Sequence, residues 1–302
     1  MNRSFNFNVL SQIPKFTKTR FAPSPTGFLH LGHVSSALFV WLIARLKNAQ
    51  VVLRIEDHDR IRSKPEYAES IFQDLKTLGL APDLGENWQS SRYVQSRNLE
   101  RYASGLKTLK TYYCMCSRMD IENRSGAKGE DIPYDGHCRY LNLTSGAIRL
   151  HWEPDLVSFT DVRLGRITQR PKDQCGDLLL KDRNHNYTYQ YSVVIDDYLD
   201  EIDLVIRGED LLESTGRQIR LHQLLNNPIV PKYLHHGLLL GSDGKKLSKR
   251  FYSESIKSLL QKGKTPQDLI GTAAFQVGLL PNDKPLGFEE LVGFYQKTLK
   301  IF

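Results

Sequence analysis

Two histidines flank a Leu-Gly pair in His30-Leu-Gly-His33, and the turn Ala22-Pro-Ser-Pro-Thr-Gly27 precedes them. An apolar helical pattern follows at once through Val34, Ala37, Leu38, Trp41, Leu42 and Leu46. A loop entering a helix N-terminus presents unpaired N–H groups and the positive end of the helix dipole. Phosphates bind in such places. Two imidazoles added there suit a triphosphate whose charge moves during reaction. Roughly 210 residues downstream, Lys245, Lys246, Lys249 and Arg250 concentrate cationic charge. Alone, such a run reads as a solvated loop. Paired with the histidine turn, it reads as a mobile loop that closes over the β- and γ-phosphates while the turn holds the α-phosphate. Charge builds there as pyrophosphate leaves, and losing one preorganised donor typically costs about 100- to 1,000-fold in rate.

A second constellation is Cys114-x-Cys116 with Cys138 beyond it. Three nearby thiolates in a reducing compartment suggest a structural, tetrahedral Zn²⁺ site. His137 and Tyr134 both stand close enough in sequence to supply a fourth ligand, and the bland alternative is three reduced cysteines with no metal. Cys175 lacks such neighbours and reads as a small apolar residue.

These groups need a scaffold. The spacing predicts a strand over 17–22, a helix over 34–47, a strand buried on both faces over 51–55 and a helix over 65–78. Ser63 to Glu66 has capping-box spacing for the latter, and Gly79 follows it as a stop. Helical periodicity recurs over 92–110. Residues 111–146 look loop-like, and 157–181 look like antiparallel strands. A helix over 187–198, a buried strand over 204–206 and a helix over 213–225 resume the alternation, and short helical patterns cover 256–260 and 269–277. Strand–helix alternation at these lengths argues an α/β fold with a Rossmann-like parallel sheet. No G-x-G-x-x-G or G-x-x-x-x-G-K-[ST] turn accompanies it. We expect an N-terminal extension over 1–19, a first catalytic half over 20–110, and an inserted zinc-binding subdomain over 111–185. A second catalytic half over 186–235 and a lysine-loop and helical C-terminal module over 236–302 complete the division.

The bulk numbers fit that picture. The chain has 302 residues and a formal net charge of +7. Basic surfaces favour polyanionic partners. No run of about 18 apolar residues predicts a membrane span. No secretory signal is recognisable at the N-terminus, and four cysteines are too few for a disulfide scaffold. A cytoplasmic protein is expected.

His30-Leu-Gly-His33 resembles the HIGH motif, and Lys246-Leu-Ser-Lys249-Arg250 resembles the KMSKS motif, of class I aminoacyl-tRNA synthetases. The run from Arg20 to His33, together with Arg54-Ile-Glu56-Asp57, Tyr189 and Val205-Ile-Arg207-Gly-Glu209-Asp210, is similar to the glutamyl branch. The resemblance covers about residues 20–250. It implies attack of an amino acid carboxylate on the α-phosphorus of ATP, release of pyrophosphate, and transfer of the acyl group to RNA, with Mg²⁺ travelling with the ATP. His30, His33 and Lys249 are then catalytic, and Gly27, Gly32, Lys246 and Ser248 complete the ATP site. Leu247 and Arg250 depart from the family's loop pattern, so Lys249 carries more weight than Arg250. Arg20, Phe21, Ala22, Pro23, Ser24, Glu56, Tyr189 and Arg207 form the pocket for L-glutamate. Two arginines can fork onto its carboxylates and Glu56 can take its ammonium, whereas glutamine would leave an arginine partly unpaired. The alternative for Arg54 to Asp57 is an ordinary strand end with surface ion pairs.

Only 52 residues follow Arg250, too few for an independent anticodon domain. That shortness and the pattern Cys-x-Cys…Tyr-x-x-x-Cys resemble a truncated branch, the glutamyl-Q tRNA(Asp) synthetases. The resemblance implies Cys114, Cys116, Tyr134 and Cys138 as the zinc ligands. It also implies activation of glutamate without tRNA, and an acceptor that is queuosine in the anticodon loop of tRNA(Asp). A compact enzyme charging the tRNA 3′ end, and a non-catalytic paralogue that binds tRNA or senses glutamate, are the rival readings.

Overall fold

The computed structural model describes residues 8–86, 92–127, 132–237 and 254–299. A short helix α1 (Asn8–Gln12) leads into strand β1 (Lys18–Phe21), helix α2 (Leu31–Leu46) and strand β2 (Gln50–Leu53). β1 and β2 pair in parallel, with Arg20 opposite Val52, so α2 is the crossover of a βαβ unit. The apolar run that predicted α2 is buried nearly all round: Leu38, Trp41, Leu42 and Ile43 are wholly enclosed. The helix starts three residues before the apolar pattern does, because His30 caps it.

Helix α3 (Pro65–Thr77) follows and ends at Gly79, whose φ of +73° permits the left-handed exit. The expected capping box from Ser63 does not form. Lys64 occupies the cap position without a side-chain bond, and its N–H is held by the Pro25 carbonyl instead. Periodicity over 92–110 resolves into a 3₁₀ turn (Gln95–Arg97) and helix α4 (Leu99–Leu106), broken at Asn98.

Residues 111–146 are not simply loop. They contain strand β3 (Thr111–Cys114) and helix α5 (Arg118–Ser125), the latter closed by a capping box between Ser117 and Asp120. β3 pairs antiparallel with β4 (Ala147–Leu150), and β4 pairs with β7 (Leu179–Lys181). A four-residue strand shows too little periodicity to be found locally; its partner defines it. β5 (Val157–Asp161) and β6 (Gly165–Gln169) form an antiparallel hairpin, and α6 (Pro171–Cys175) follows.

The parallel pattern returns with α7 (Tyr189–Leu199), β8 (Leu204–Gly208), a 3₁₀ turn (Glu209–Ser214), α8 (Thr215–Leu224) and β9 (Lys232–His236). The sheet runs β6-β5-β9-β8, with β8–β9 and β5–β9 parallel. Asp203, just before β8, accepts from the N–H groups of Thr17 and Lys18 and so sets β1 beside β8. The carboxyl ends of β1 and β8, bearing Arg20 and Arg207, therefore lie side by side where two parallel units meet. Open α/β sheets place their ligand crevices at such a junction.

Helices α9 (Ile256–Gln261), α10 (Pro266–Gln276) and α11 (Phe288–Leu299) follow, and α10 and α11 pack on α2. Among the described residues no helix is long and apolar enough to cross a membrane.

Candidate active site

The turn into α2 is built by its histidines. His30 Nδ1 accepts from the Gly32 N–H at 3.1 Å, and His33 Nδ1 accepts from the His30 N–H at 3.2 Å. This reciprocal pair is a capping box made by imidazoles. Because each Nδ1 accepts, each ring carries its proton on Nε2. The rings lie 3.9 Å apart. Burial lowers the pKa of both; His33 falls to about 3, with His30 adding to the effect. The pair is thus neutral and offers N–H donors rather than full positive charges. The backbone of Leu29 accepts from the Ile256 N–H at 2.8 Å, which ties the turn to the C-terminal helices. At Gly27 an added Cβ would meet no atom of the described residues within 4 Å.

The segment after β1 runs alongside residues 54–56. The Phe21 and Pro23 carbonyls accept from the Arg54 and Glu56 N–H groups. Phe21's ring is not available to a ligand: it packs edge-on against Trp41, 5.5 Å away, in the core. Ala22 is half-buried, Pro23 buried and Ser24 exposed.

Three buried arginines line this junction, and their charges are compensated very differently. Arg54 faces four carboxylates: Asp197 at 2.6 Å, Glu56 and Asp200 at 3.2 Å, and Asp196 at 3.9 Å. Its surroundings hold it firmly protonated despite its burial. Arg20 has one, Asp197, whose oxygens take its Nε at 3.2 and 3.4 Å. Arg207 has none among the described residues. Its Nε, Nη1 and Nη2 donate to His235 Nε2 at 3.0 Å, Gln218 Oε1 at 2.8 Å and Thr215 Oγ1 at 2.8 Å. The face of the Tyr233 ring, 5.2 Å away, adds further partial negative charge. Tyr189 lies within the electrostatic reach of Arg207, Glu56 and Arg20, and burial raises its pKa. The strand-end alternative for Arg54 to Asp57 does not describe what forms: Arg54 and Glu56 are buried, not surface ion pairs. Asp57 instead accepts from the Ser96 N–H, and Asp59 pairs with Arg62.

The cysteine group also assembles. The sulfurs of Cys114, Cys116 and Cys138 lie within 4.8 Å of one another, and all are free thiols. The Tyr134 hydroxyl sits between them, 3.3 Å from Cys114 and 3.5 Å from Cys116. Zn–S bonds of about 2.3 Å in a tetrahedron put sulfurs roughly 3.8 Å apart, so the donor set has the size for zinc. His137 is exposed and stays outside the cluster. Arg149 stacks 3.8 Å from the Tyr134 ring and Arg124 reaches Cys116 at 3.4 Å, offsetting the negative charge of such a site. Gly176, at φ +65°, lets the chain pass Tyr134; a Cβ there would lie 2.0 Å from the Tyr134 carbonyl oxygen. Cys175 points elsewhere, to the Pro171 carbonyl. Lys246, Ser248 and Lys249 lie outside the described residues.

Comparison with known proteins decides what this assembly belongs to. Residues 17–284 match the model of the class I tRNA synthetase (E and Q) catalytic domain. The chain belongs to this family. It is 37% identical over 296 residues to a glutamyl-Q tRNA(Asp) synthetase of Nitratidesulfovibrio vulgaris, covering 91% of this chain and 90% of that protein. It is 41% identical over 262 residues to a glutamate–tRNA ligase of Legionella pneumophila, covering 84% of this chain but only 55% of the ligase. The chain thus spans about half the length of such a ligase. A crystal structure of a glutamate tRNA ligase from Elizabethkingia meningosepticum in complex with its amino acid superposes with a TM-score of 0.75 at 25% identity, over 92% of this chain and 64% of that one. The Rossmann-like α/β fold is the family's.

Several residues of this synthetase site escaped the sequence reading. Asp196 and Asp197 of α7 and Asp200, its C-cap, face the arginine cluster, while Thr215, Gln218 and His235 bond to Arg207 and Asp161 bonds to His235. One signal was present: acids interrupt the apolar run Val193-Val-Ile195, where a soluble helix would place them outward. The approach of β9 to β8 had no local signal.

Proposed function

We propose that this chain activates L-glutamate with ATP, without tRNA, and transfers the glutamate to queuosine in the anticodon loop of tRNA(Asp). The observation that carries the amino-acid part is Arg207. A buried cation with only neutral partners is costly unless an anion arrives, and glutamate's side-chain carboxylate supplies one. In this reading Arg20, Ser24 and Tyr189 hold the rest of the ligand and Glu56 takes its ammonium. His30 and His33 then donate from Nε2 to the ATP phosphates at the N-terminus of α2. Their neutrality matters: they stabilise charge that develops on the phosphates without binding the resting triphosphate as a fixed cation would. Lys246, Ser248 and Lys249 complete the phosphate site in this reading, and Mg²⁺ comes with ATP. Zn²⁺, held by Cys114, Cys116, Tyr134 and Cys138, would lock the subdomain over 111–185 as a structural ion; it takes no part in the chemistry.

The acceptor assignment is supported by the near full-length likeness to a glutamyl-Q tRNA(Asp) synthetase, whereas the glutamate–tRNA ligase is matched over half its length. The test is incubation with ATP and labelled glutamate, first alone and then with tRNAs containing or lacking queuosine. Expected are ATP–pyrophosphate exchange without RNA and label only on queuosine-bearing tRNA(Asp). Exchange that needs tRNA(Glu), or label at a tRNA 3′ end, would overturn the proposal. Absence of exchange under every condition would favour a binding paralogue.

A further inference from the structure

Arg207 is aimed from behind by a relay across three neighbouring strands. Asp161 ends β5, His235 lies in β9 opposite Arg207 in the strand register, and Arg207 lies in β8. The Asp161 Oδ2 accepts both from the His235 backbone N–H at 3.0 Å and from its Nδ1 at 2.8 Å. Its Oδ1 accepts from the Arg163 and Leu164 N–H groups at 3.0 and 2.9 Å. Four donors therefore fix this carboxylate, and Asp161 and His235 are almost wholly buried. With Nδ1 protonated toward Asp161, His235 keeps a lone pair on Nε2, and that lone pair receives Arg207 Nε.

The arrangement has a consequence for charge. A carboxylate placed directly on Arg207 would neutralise it, as Asp197 does for Arg20. The imidazole between them transmits the orientation of Asp161 while presenting only a neutral acceptor. Of the five guanidinium N–H groups, three are used, which leaves one on each terminal nitrogen for a two-oxygen acceptor. We propose that Asp161 and His235 are positioning residues that aim Arg207 and preserve its charge for the side-chain carboxylate of the amino acid, setting selectivity for glutamate over glutamine. The inference rests on the glutamate reading given above.

The experiment is steady-state ATP–pyrophosphate exchange with His235→Phe, His235→Gln, Asp161→Asn and Arg207→Met. Phe keeps the ring volume but removes the acceptor. It raises KM for glutamate roughly 10- to 100-fold, the worth of one hydrogen bond to a charged group, and reduces glutamate-over-glutamine preference by a similar factor. KM for ATP changes by less than about 2-fold, because the histidine turn on α2 is separate. Gln, which restores an acceptor for Arg207 and a donor for Asp161, recovers most of the loss. Asp161→Asn keeps oxygen for the backbone donors and frees the His235 tautomer, giving the same selective rise in a second variant whose fold circular dichroism verifies. An unchanged KM for glutamate in both His235→Phe and Asp161→Asn, or an equal rise for ATP and glutamate, overturns the inference. If Arg207→Met itself leaves exchange intact, the glutamate reading falls. If Arg207→Met abolishes exchange while His235→Phe does not, only the positioning role falls.

Discussion

Arg54→Met and Arg207→Met are expected to behave in opposite ways, although both remove a buried guanidinium from the same junction. Arg54 is surrounded by Glu56, Asp196, Asp197 and Asp200. Among the described residues its loss leaves the Glu56 carboxylate without a cationic partner and strips one cation from three further acids, of which Asp197 keeps Arg20, Asp200 keeps Arg92 and Asp196 keeps Arg101. Breaking a buried ionic network from one side costs about 3–5 kcal/mol, which lowers Tm by roughly 6–10 °C for a domain of this size. Arg207 has no carboxylate partner to strand among the described residues. Removing it deletes hydrogen bonds to neutral groups, and Thr215 can still bond to His235, 3.2 Å away. Relief from burying an uncompensated charge offsets that loss, so stability changes by less than about 1 kcal/mol. Activity reverses the order. Two charge-assisted hydrogen bonds to a ligand carboxylate are worth roughly 3 kcal/mol or more, a loss above 100-fold in kcat/KM for glutamate. The assays are thermal unfolding followed by circular dichroism and ATP–pyrophosphate exchange. If Arg207→Met unfolds as early as Arg54→Met, with activity falling in step with folded fraction, Arg207 is a structural residue and the charge argument is refuted.

Zinc per chain, measured by atomic emission after purification without chelator, should be close to one. Cys116→Ser should lower it, and Gly176→Ala should lower both zinc and stability by driving a Cβ into the Tyr134 backbone; zinc-free protein with unchanged Tm would reject the site. Stability should peak above pH 6.5 and fall on acidification. His30, His33, His222, His235 and His236 all have pKa values lowered by burial. The unfolded chain therefore binds more protons below the ordinary value of about 6.5, and stability present above it is lost as pH falls. Asp74 and Asp196, raised to about 6, oppose this between about pH 4 and 6 but are fewer. A urea midpoint that does not drop between pH 7 and pH 5 would contradict the sign. Lys249→Ala should slow adenylate formation about 100- to 1,000-fold; a rate within a few-fold of the parent would remove the lysine loop from the chemistry.

The histidine turn was legible because its information is local. An N-cap, a helix and the residues that bind at the helix end lie within a few positions of one another, so residue types and spacing specify them. The same holds for α3 with its Gly79 exit, although the cap itself differed: Lys64 was claimed by the Pro25 carbonyl, a contact from another segment. The β3 strand and the split at Asn98 were not legible, since short elements acquire their identity from partners distant in sequence. Cysteine spacing suggested a metal group but left Tyr134 and His137 open on chemistry alone. Folding separates them, placing the Tyr134 hydroxyl among the sulfurs and His137 outside.

By itself, the sequence determined the alternating α/β plan, the histidine turn at the N-terminus of α2 and which charged residues the strand ends carry. It could not assign those charges their partners. Arg20, Arg54 and Arg207 look alike in one dimension, each lying within or at the end of a short strand-like run. Tertiary structure decides that Arg54 is neutralised by Glu56 and the acids at the end of α7, that Arg20 shares Asp197, and that Arg207 has only neutral hydrogen-bond partners among the described residues. The physical reason is that pairing energies depend on distance and burial, and both are set only when β8 and β9 come together and α7 packs against them.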